Sequence, residues 1–550
     1  MYISILSFIS FFCLIFLISS FKIDVFSVFE QRLMNFLLIV SFFAVIITKG
    51  YTLQIIPLLV ILGIFAIYRK NFHFNSLTRI ELFSGFGIFI LFYIYFFVAS
   101  GFVMSFPHED YLIYERIGHY NVKYGVENTR TFYNAISDDQ PKIEIYHYFE
   151  MWATSFLMKI NNLKFLENYI LIICPAMIWI TLSGFKELIS DKKSIISMIL
   201  LVSIILFINP YDVILRIFDI KLPISGLGGI IIALKNIFIL PIVVYLLIQI
   251  SKNKLNYILL CTFSFYYIIT FPIMIVSTSI FNIINSKMDW RSFKYIVISG
   301  LLFIALTYLL NQSAITSRIS FDSFLNISFS AKVFIMGFIL PTSLLIVLYY
   351  FRQSKEFNFD WLMMFISVSF TGSFFWILFS ENIDSNQLHR NFGGTFFSLI
   401  LIIFIFNLSI NTYLKFSFLI FNFVFSFWYI KAFNNNVRLS FEESHFLDSI
   451  NNYNSLIFYP NMNYVNSVYK YNERLNFKYL KIFYYRPELD VFNFASFYPL
   501  SDGIDTESEK FMIEIYRSIS PFIKISDNEI SDKYIFEVSS TFGADTVIVE

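Results

Sequence analysis

The chain has 550 residues, of which 57% are apolar and only 14% are charged, and its mean hydropathy is +0.67. Soluble globular proteins carry about 25% charged residues, so this composition excludes a cytosolic enzyme and a disordered protein. The 40 basic residues nearly balance the 39 acidic ones, which argues against nucleic acid as a partner. The sequence therefore predicts an integral membrane protein.

Apolar runs of roughly 18 to 25 residues, separated by short charged stretches, predict helices that cross about 30 Å of hydrocarbon. In chain order the runs lie at 1–20, 33–48, 51–68, 81–106, 166–184, 194–208, 225–250, 256–285, 295–311, 331–350, 361–380, 393–411 and 415–431. The run 256–285 carries Pro272 near its middle, so it is either one kinked span or a tight hairpin of two. We predict a polytopic α-helical membrane protein with about 13–14 transmembrane helices.

The distribution of charge predicts two domains and an orientation. Residues 1–431 hold 30 basic and 22 acidic residues, whereas residues 432–550 hold 10 and 17, so the two parts face different environments. If the loop 107–165 is extracytoplasmic, most basic residues of the short connections lie in the cytoplasm, provided that 256–285 crosses twice. This predicts a multi-pass protein of a bacterial plasma membrane with both termini outside.

Residues 432–550 have the composition of a soluble domain and predict a small extracytoplasmic α/β domain of common size. The strand-like runs lie at 455–459, 479–485 and 545–549. The helical patterns lie near 462–473, 507–518 and 527–539.

The sharpest local feature is Phe-Pro-His-Glu-Asp-Tyr at 106–111, where a predicted span ends in two adjacent carboxylates, Glu109 and Asp110. Acidic side chains are costly near lipid and therefore mark a candidate site. The neighbouring carboxylate and the hydrocarbon boundary raise their proton affinity toward that of a general base. The alternative is a solvated helix end.

The loop 107–165 is long enough to carry function, and its second half predicts an amphipathic helix over 149–160. The apolar residues of this helix that fall on one face are Phe149, Trp152, Phe156 and Ile160. A helix of this kind lies in the membrane interface, with Trp152 at headgroup depth.

These features together resemble a known family. An acidic pair after an early span, a tyrosine soon afterwards (Tyr114), Gly125, and then Tyr-His-Tyr-Phe-Glu-Met-Trp at 146–152 resemble the first large outer loop of GT-C class glycosyltransferases. Protein mannosyltransferases and aminoarabinose transferases belong to that class. In those families the acidic motif usually follows the first span, whereas four predicted spans precede it here.

The resemblance implies sugar transfer from a polyprenyl-phosphate donor to a glycan, lipid or protein acceptor at the outer face of the membrane, in the biosynthesis of an envelope glycoconjugate. A carboxylate, Asp110 or Glu109, would take the proton of the acceptor. Tyr114, His147 and Glu150 would contribute to substrate binding in the same loop.

The leaving phosphate requires a cation or several hydrogen-bond donors. His389 and Arg390, in the polar loop 381–392, are the first candidates for this role, and Lys235 is the second. The alternative for Arg390 is an anchor whose long side chain reaches the interface.

A divalent metal is possible, because four of the six histidines fall in the two proposed outer loops near carboxylates and both groups are common ligands. Their spacing matches no tight metal-binding motif, so we assign no metal ligand. Histidines that only form hydrogen bonds are the alternative.

Two other functions compete with the glycosyltransferase. A surface-polysaccharide polymerase or ligase has a similar number of spans, but its large outer loop typically lies late in the chain and carries arginines. A transporter or flippase tends to show internal repeats and ionisable residues within its spans. No repeat is evident here, and Lys235 is the main charged exception in the apolar runs.

Overall fold

The computed structural model describes the chain in separate stretches and is mostly α-helical. The described residues are 2–48, 52, 54–74, 77–108, 110–125, 148–188, 234–253, 255–268, 270–285, 289–290, 292–298, 300–301, 326–350, 359–378, 388–407, 417, 435–441, 444, 456–459, 484–485, 535–536 and 546–549.

The helices follow the apolar runs of the sequence and the long loop between the fourth and fifth runs. In chain order they are α1 (Tyr2–Ser19), α2 (Val28–Ile47), α3 (Ile55–Ile67), α4 (Arg79–Val98), α5 (Asp110–Tyr124), α6 (Tyr148–Asn161), α7 (Phe165–Leu188), α8 (Asn236–Ser251), α9 (Tyr257–Tyr267), α10 (Thr270–Ile284), α11 (Ile327–Tyr350), α12 (Phe359–Leu378) and α13 (Gly394–Asn407). A π-helical turn, Leu388–Gly393, leads into α13.

In the described part of the chain, six helices are long and apolar enough to cross a membrane: α1, α2, α4, α7, α11 and α12. This confirms a polytopic helical membrane protein. Helix α7 is the central one, because 94% of its apolar window is buried inside the protein, against 28% for α11. The total of about 13–14 spans stays a prediction, since 194–208 and most of 295–311 and 415–431 lie outside the described residues.

Helices α2 and α4 begin at the same end of the bundle, and each has a capping box. Ser27 precedes α2 and exchanges hydrogen bonds with Glu30, and Thr78 precedes α4 and exchanges them with Glu81. In each capping box the hydroxyl and the carboxylate accept hydrogen bonds from backbone N–H groups that have no partner within the helix. The strands β1 (Phe21–Ile23) and β2 (Phe72–Phe74) form an antiparallel pair beside these helix starts.

A buried ion pair joins three helices at this end. Arg32 in α2 pairs with Glu81 in α4, and its guanidinium carbon lies 4.0 Å from the ring centroid of Trp179 in α7. The indole N–H of Trp179 donates to the carbonyl oxygen of Glu81 at 3.0 Å. The Arg32 side chain is 4% exposed, so its charge depends on these contacts rather than on water.

The apolar run 256–285 forms a helical hairpin. The side-chain amide of Asn282 in α10 donates to the Tyr257 hydroxyl at the start of α9, so the two helices are antiparallel. Near the tip, Tyr266 donates to the carbonyl oxygen of Leu33 at 2.6 Å, inside the bundle. Helix α9 is about 16 Å long at 1.5 Å per residue, roughly half of a hydrocarbon core. Both ends of the hairpin therefore lie toward the same side.

The tail contains a small antiparallel sheet. Its strands β5 (Leu456–Tyr459), β6 (Ile535–Phe536) and β7 (Thr546–Val549) lie in the order β5-β7-β6. Two of them match the strands predicted at 455–459 and 545–549.

Two other predictions for the tail are wrong where the structure describes it. The helix predicted at 527–539 contains strand β6, because Ile535 and Phe536 pair with β7 and tertiary pairing outweighs local propensity. The strand predicted at 479–485 is helical at Tyr484 and Tyr485, which pack against another part of the chain. The helices predicted near 462–473 and 507–518 lie outside the described residues.

Replacing Arg32 with Gln should destabilise the protein by about 3 kcal/mol, because Glu81 then loses its buried partner. The exposed pair Lys22–Asp24, whose side chains are 40% and 52% exposed, provides the control, and Lys22→Gln should change stability by less than about 1 kcal/mol. Reversible unfolding in mixed micelles measures both variants. Equal effects would contradict a structural role for the Arg32 ion pair.

Candidate functional site

A turn with left-handed backbone follows α4, and Asp110, the second residue of the acidic pair, then begins a helix. Gly101 and Phe102 adopt the left-handed conformation, with φ of 73° and 62°. Strand β3 (Ser105–Phe106) follows, and α5 begins at Asp110. Glu109 and His147 lie outside the described residues. The predicted loop 107–165 thus contains a helix from Asp110 to Tyr124.

A hydrogen bond brings the start of α5 to the start of α8. The backbone N–H of Leu234 donates to the Tyr111 hydroxyl at 3.0 Å, and Tyr111 is buried. Asp110 and Lys235 each lie one residue from this bond, although 125 positions separate them. The structure thus brings these two predicted residues, which are distant in sequence, to neighbouring helix starts.

Asn236 adds a polar atom to the same place. It is the first residue of α8, it is 8% exposed, and its side-chain oxygen has no hydrogen-bond partner among the described residues. A buried acceptor without a partner destabilises the protein by its desolvation penalty, and a ligand that donates a hydrogen bond to it would remove this penalty. Sequence reasoning missed Asn236, since an asparagine at the edge of an apolar run has no distinctive pattern.

Tyr114 and Glu150 lie in a cluster of tyrosines beneath the start of α5. Tyr169 in α7 donates to the Glu150 carboxylate at 2.5 Å, and its ring centroid lies 5.8 Å from that of Tyr111 and 6.3 Å from that of Tyr114. Both Tyr114 and Glu150 are buried. Direct substrate binding by Tyr114 and Glu150 stays a prediction. Their described contacts, through Tyr169, connect α5 and α6 to α7.

Glu115 attaches α5 to the most deeply buried span. Its two carboxylate oxygens accept hydrogen bonds from the backbone N–H groups of Phe165, at 3.1 Å, and Leu166, at 2.8 Å. These are the first amides of α7, which have no partner within the helix. Helix α5 lies outside the six candidate spans, and burial raises the pKa of the Glu115 carboxyl to about 7, despite the opposing effect of the two amides and of Lys164.

Helix α6 corrects the prediction of an interfacial helix. It covers Tyr148–Asn161, close to the predicted bounds, but its apolar face packs inside the protein rather than against lipid. Phe149 and Trp152 are fully buried, and their rings contact Phe36 and Phe43 of α2. Ile160 alone among the four predicted face residues is largely exposed. The helix is a packed part of the bundle because α2 offers it an aromatic surface.

His389 lies in the helix bundle rather than in an open polar loop. It is 1% exposed, forms a hydrogen bond to the backbone of Gly337 in α11, and stacks on Trp376 with ring centroids 6.0 Å apart. A Cβ atom at Gly372 would lie 2.5 Å from its Nδ1 atom. His389 therefore connects α11, through Gly337, to α12, through Trp376 and Gly372. Gly337 lies in a π-helical turn, Ile335–Ile339, where the backbone hydrogen bonding of the helix is irregular.

The turn that carries His389 and Arg390 nevertheless lies at the same end of the bundle as Lys235. Trp361, near the start of α12, donates to the carbonyl oxygen of Leu247 at 3.3 Å and to the Ser251 hydroxyl at 2.9 Å. Helix α12 therefore starts beside the end of α8 and runs back toward its beginning. Among the described elements, α8, α10, α12 and α13 pack most closely against this turn, and α5 is not one of them.

No group of three or more His, Cys, Asp or Glu side chains suited to a metal ion occurs among the described residues. The described part of the chain thus gives no ligand set for the possible divalent metal. Comparison with protein-family models, with curated proteins and with solved structures gave no match. The chemistry of the site therefore rests on its residues.

Protonated Glu115 stabilises the fold, because its pKa is raised from 4.5 to about 7 on folding. This contribution is present in full below about pH 4.5 and is lost as the pH rises through about 7. We expect thermal unfolding in detergent to occur at a lower temperature at about pH 8 than at about pH 5, and Glu115→Gln, which stays neutral, to reduce this difference. An undiminished pH dependence in Glu115→Gln would contradict the assignment; Asp24→Asn, at an exposed carboxylate, is the control.

Proposed function

We propose that this chain is a glycosyltransferase that moves a sugar from a polyprenyl-phosphate donor to an acceptor at the outer face of the membrane. The observation that carries the proposal is the hydrogen bond between Tyr111 and Leu234. It holds a carboxylate-bearing helix start beside a lysine-bearing one at one end of an apolar bundle. Glycosyl transfer requires a base and a cation at adjacent places.

The two residues would have complementary roles. The carboxylate of Asp110 takes the proton from the acceptor hydroxyl or amine as its oxygen or nitrogen bonds to the anomeric carbon. The bond from that carbon to the phosphate oxygen breaks, and the electron pair leaves with the phosphate. Lys235 stabilises the developing negative charge. Glu109, directly before Asp110, is the second candidate for the base.

Asn236 supports a hydroxyl-rich ligand at this place. Its side-chain oxygen is a buried acceptor with no partner among the described residues, and a sugar hydroxyl is a donor that would satisfy it. A site built to bind a hydroxyl group discriminates strongly against ligands that lack one, because the acceptor is then left unpaired. Asn236 would therefore contribute to recognition of the sugar.

Lys235 is a better candidate than His389 for the phosphate. His389 is enclosed by three helical segments and already bonds to Gly337, whereas Lys235 is half-buried at the start of α8. Arg390 is half-buried at the same end of the bundle and would contact the donor from the side of α12. Lipid surrounding the bundle would present the polyprenyl chain to this site.

Asp110→Asn should abolish transfer while leaving insertion and folding intact, because the amide cannot accept the proton. Removal of a general base costs about 10²- to 10⁴-fold in rate. A strain that lacks this protein should accumulate one lipid-linked sugar and one undecorated acceptor. Each variant is then expressed in that strain, and mass spectrometry of lipid-linked sugars and surface glycans measures how far it restores the wild-type pattern.

The matched control is Asp24→Asn, which removes an exposed carboxylate near β1 and should restore the wild-type pattern. Full activity of a variant that combines Asp110→Asn with Glu109→Gln would exclude this site as the source of the base. A deletion strain with unchanged glycans and unchanged lipid-linked sugars would exclude the glycosyltransferase itself.

A further inference from the structure

The chain beyond the last predicted span returns to the candidate site just before Asp110. Strand β4 (Asn435–Asn436) pairs antiparallel with β3, so that Ser105 lies opposite Asn436 and Phe106 opposite Asn435. The backbone N–H of Val437 donates to the carbonyl oxygen of Met104 at 3.3 Å, and Val437 is buried. These contacts fix the backbone four to six residues before the helix start at Asp110.

The tail contacts the site a second time through Tyr484. The Tyr484 hydroxyl donates to the Glu167 carboxylate at 3.0 Å, and its backbone carbonyl accepts from the Lys164 ammonium at 2.5 Å. The same ammonium lies 4.0 Å from the centroid of the Tyr484 ring. Tyr484 is 4% exposed, so the contact is a docked side chain rather than a surface encounter.

The turn that receives Tyr484 is the one that Glu115 binds. Lys164 precedes α7, and its backbone N–H donates to the second oxygen of Glu167 at 3.0 Å. The next two amides, of Phe165 and Leu166, donate to Glu115 in α5. Tyr484 thus orients Lys164 and Glu167, the two charged residues of this turn. The amides of Phe165 and Leu166 in the same turn donate to α5, the helix that starts at Asp110.

The charges explain why this turn needs an additional partner. The buried carboxylate of Glu167 and the ammonium of Lys164 lie together at this turn, and the Glu115 carboxyl beside them accepts from the two amides of α7. Buried charges are stable only when they are paired and hydrogen-bonded. The Tyr484 hydroxyl supplies a donor to one carboxylate, and its carbonyl and ring hold the ammonium between them.

We propose that two parts of the tail, β4 with Val437 and the side chain of Tyr484, are positioning elements of the candidate site. Strand β4 fixes the strand before Asp110, and Tyr484 fixes the α6–α7 turn that is bonded to Glu115, so that α5 is held from both sides. Tyr484 is a positioning residue, since it acts on α5 through Glu167 and Lys164. Its effect on catalysis rests on the proposed function, whereas its effect on the turn does not.

Hydrogen exchange of the full-length protein in nanodiscs tests this assignment. Tyr484→Ala should accelerate exchange in the peptide that contains Phe165 and Leu166 by roughly tenfold, the factor that loss of about one buried hydrogen bond produces. Tyr484→Phe, which loses the hydroxyl and keeps the ring, should give a smaller acceleration. Phe441→Ala removes an aromatic side chain of the tail that is 86% exposed and should exchange like the wild type.

Wild-type exchange in both Tyr484 variants would overturn the proposal. Equal acceleration in Phe441→Ala would also overturn it, because the effect would then reflect general loosening of the tail. If Tyr484→Ala does not fold, Tyr484→Phe decides alone: faster exchange at the turn supports the proposal and unchanged exchange overturns it.

In a transfer assay, Tyr484→Ala should lower kcat by up to about 100-fold, as displacement of a reacting group by about 1 Å can, with little change in the KM of the donor. A rise in KM with unchanged kcat would contradict positioning of Asp110. Hydrogen exchange at the turn is measured without substrate, so it tests this inference alone. Full transfer activity in the Asp110 variants would instead show that the proposed function is wrong.

Discussion

The contact between the Glu115 carboxyl and the first amides of α7 is the one on which the arrangement of α5 and α7 depends. Helix α7 is the most completely buried span, and its first amides lie where water cannot satisfy them. An unsatisfied buried amide costs about 1–3 kcal/mol, so the loop between α4 and α7 must fold back and supply acceptors. Because Glu115 lies in α5, satisfying α7 also fixes the helix that begins at Asp110.

From this constraint the outer loop becomes part of the bundle. Helix α5 lies against α7 and presents Tyr111 to the start of α8, and α6 fills the space between them and α2 with aromatic side chains. At this junction Tyr169 donates to the buried Glu150 carboxylate, and Tyr111 accepts from the amide of Leu234. The start of α5 and the start of α8 are therefore held next to each other, and under the proposed function this arrangement would orient the base and the cation.

Local patterns predicted much of the fold. Hydropathy located the six spans that the structure describes, and the apolar period placed α6 within one residue at each end. The start of α2 lies at Val28, five residues before its predicted apolar run, because the capping box of Ser27 and Glu30 begins the helix there. Long-range contacts were not predictable. Glu115 and its partner amides lie about 50 residues apart, and no local pattern distinguishes this carboxylate from its neighbours. The direction of the apolar face of α6, toward α2 rather than lipid, and the enclosure of His389 likewise depend on tertiary packing.

If Asp110 and Lys235 act in one site, a double-mutant cycle on the rate of sugar transfer will show that the two residues are coupled. Residues that stabilise one transition state together are strongly non-additive. We predict that Asp110→Asn combined with Lys235→Gln transfers sugar no more slowly than the slower single variant. Effects of the two substitutions that multiply would contradict the account, because they would place the carboxylate and the lysine in independent roles.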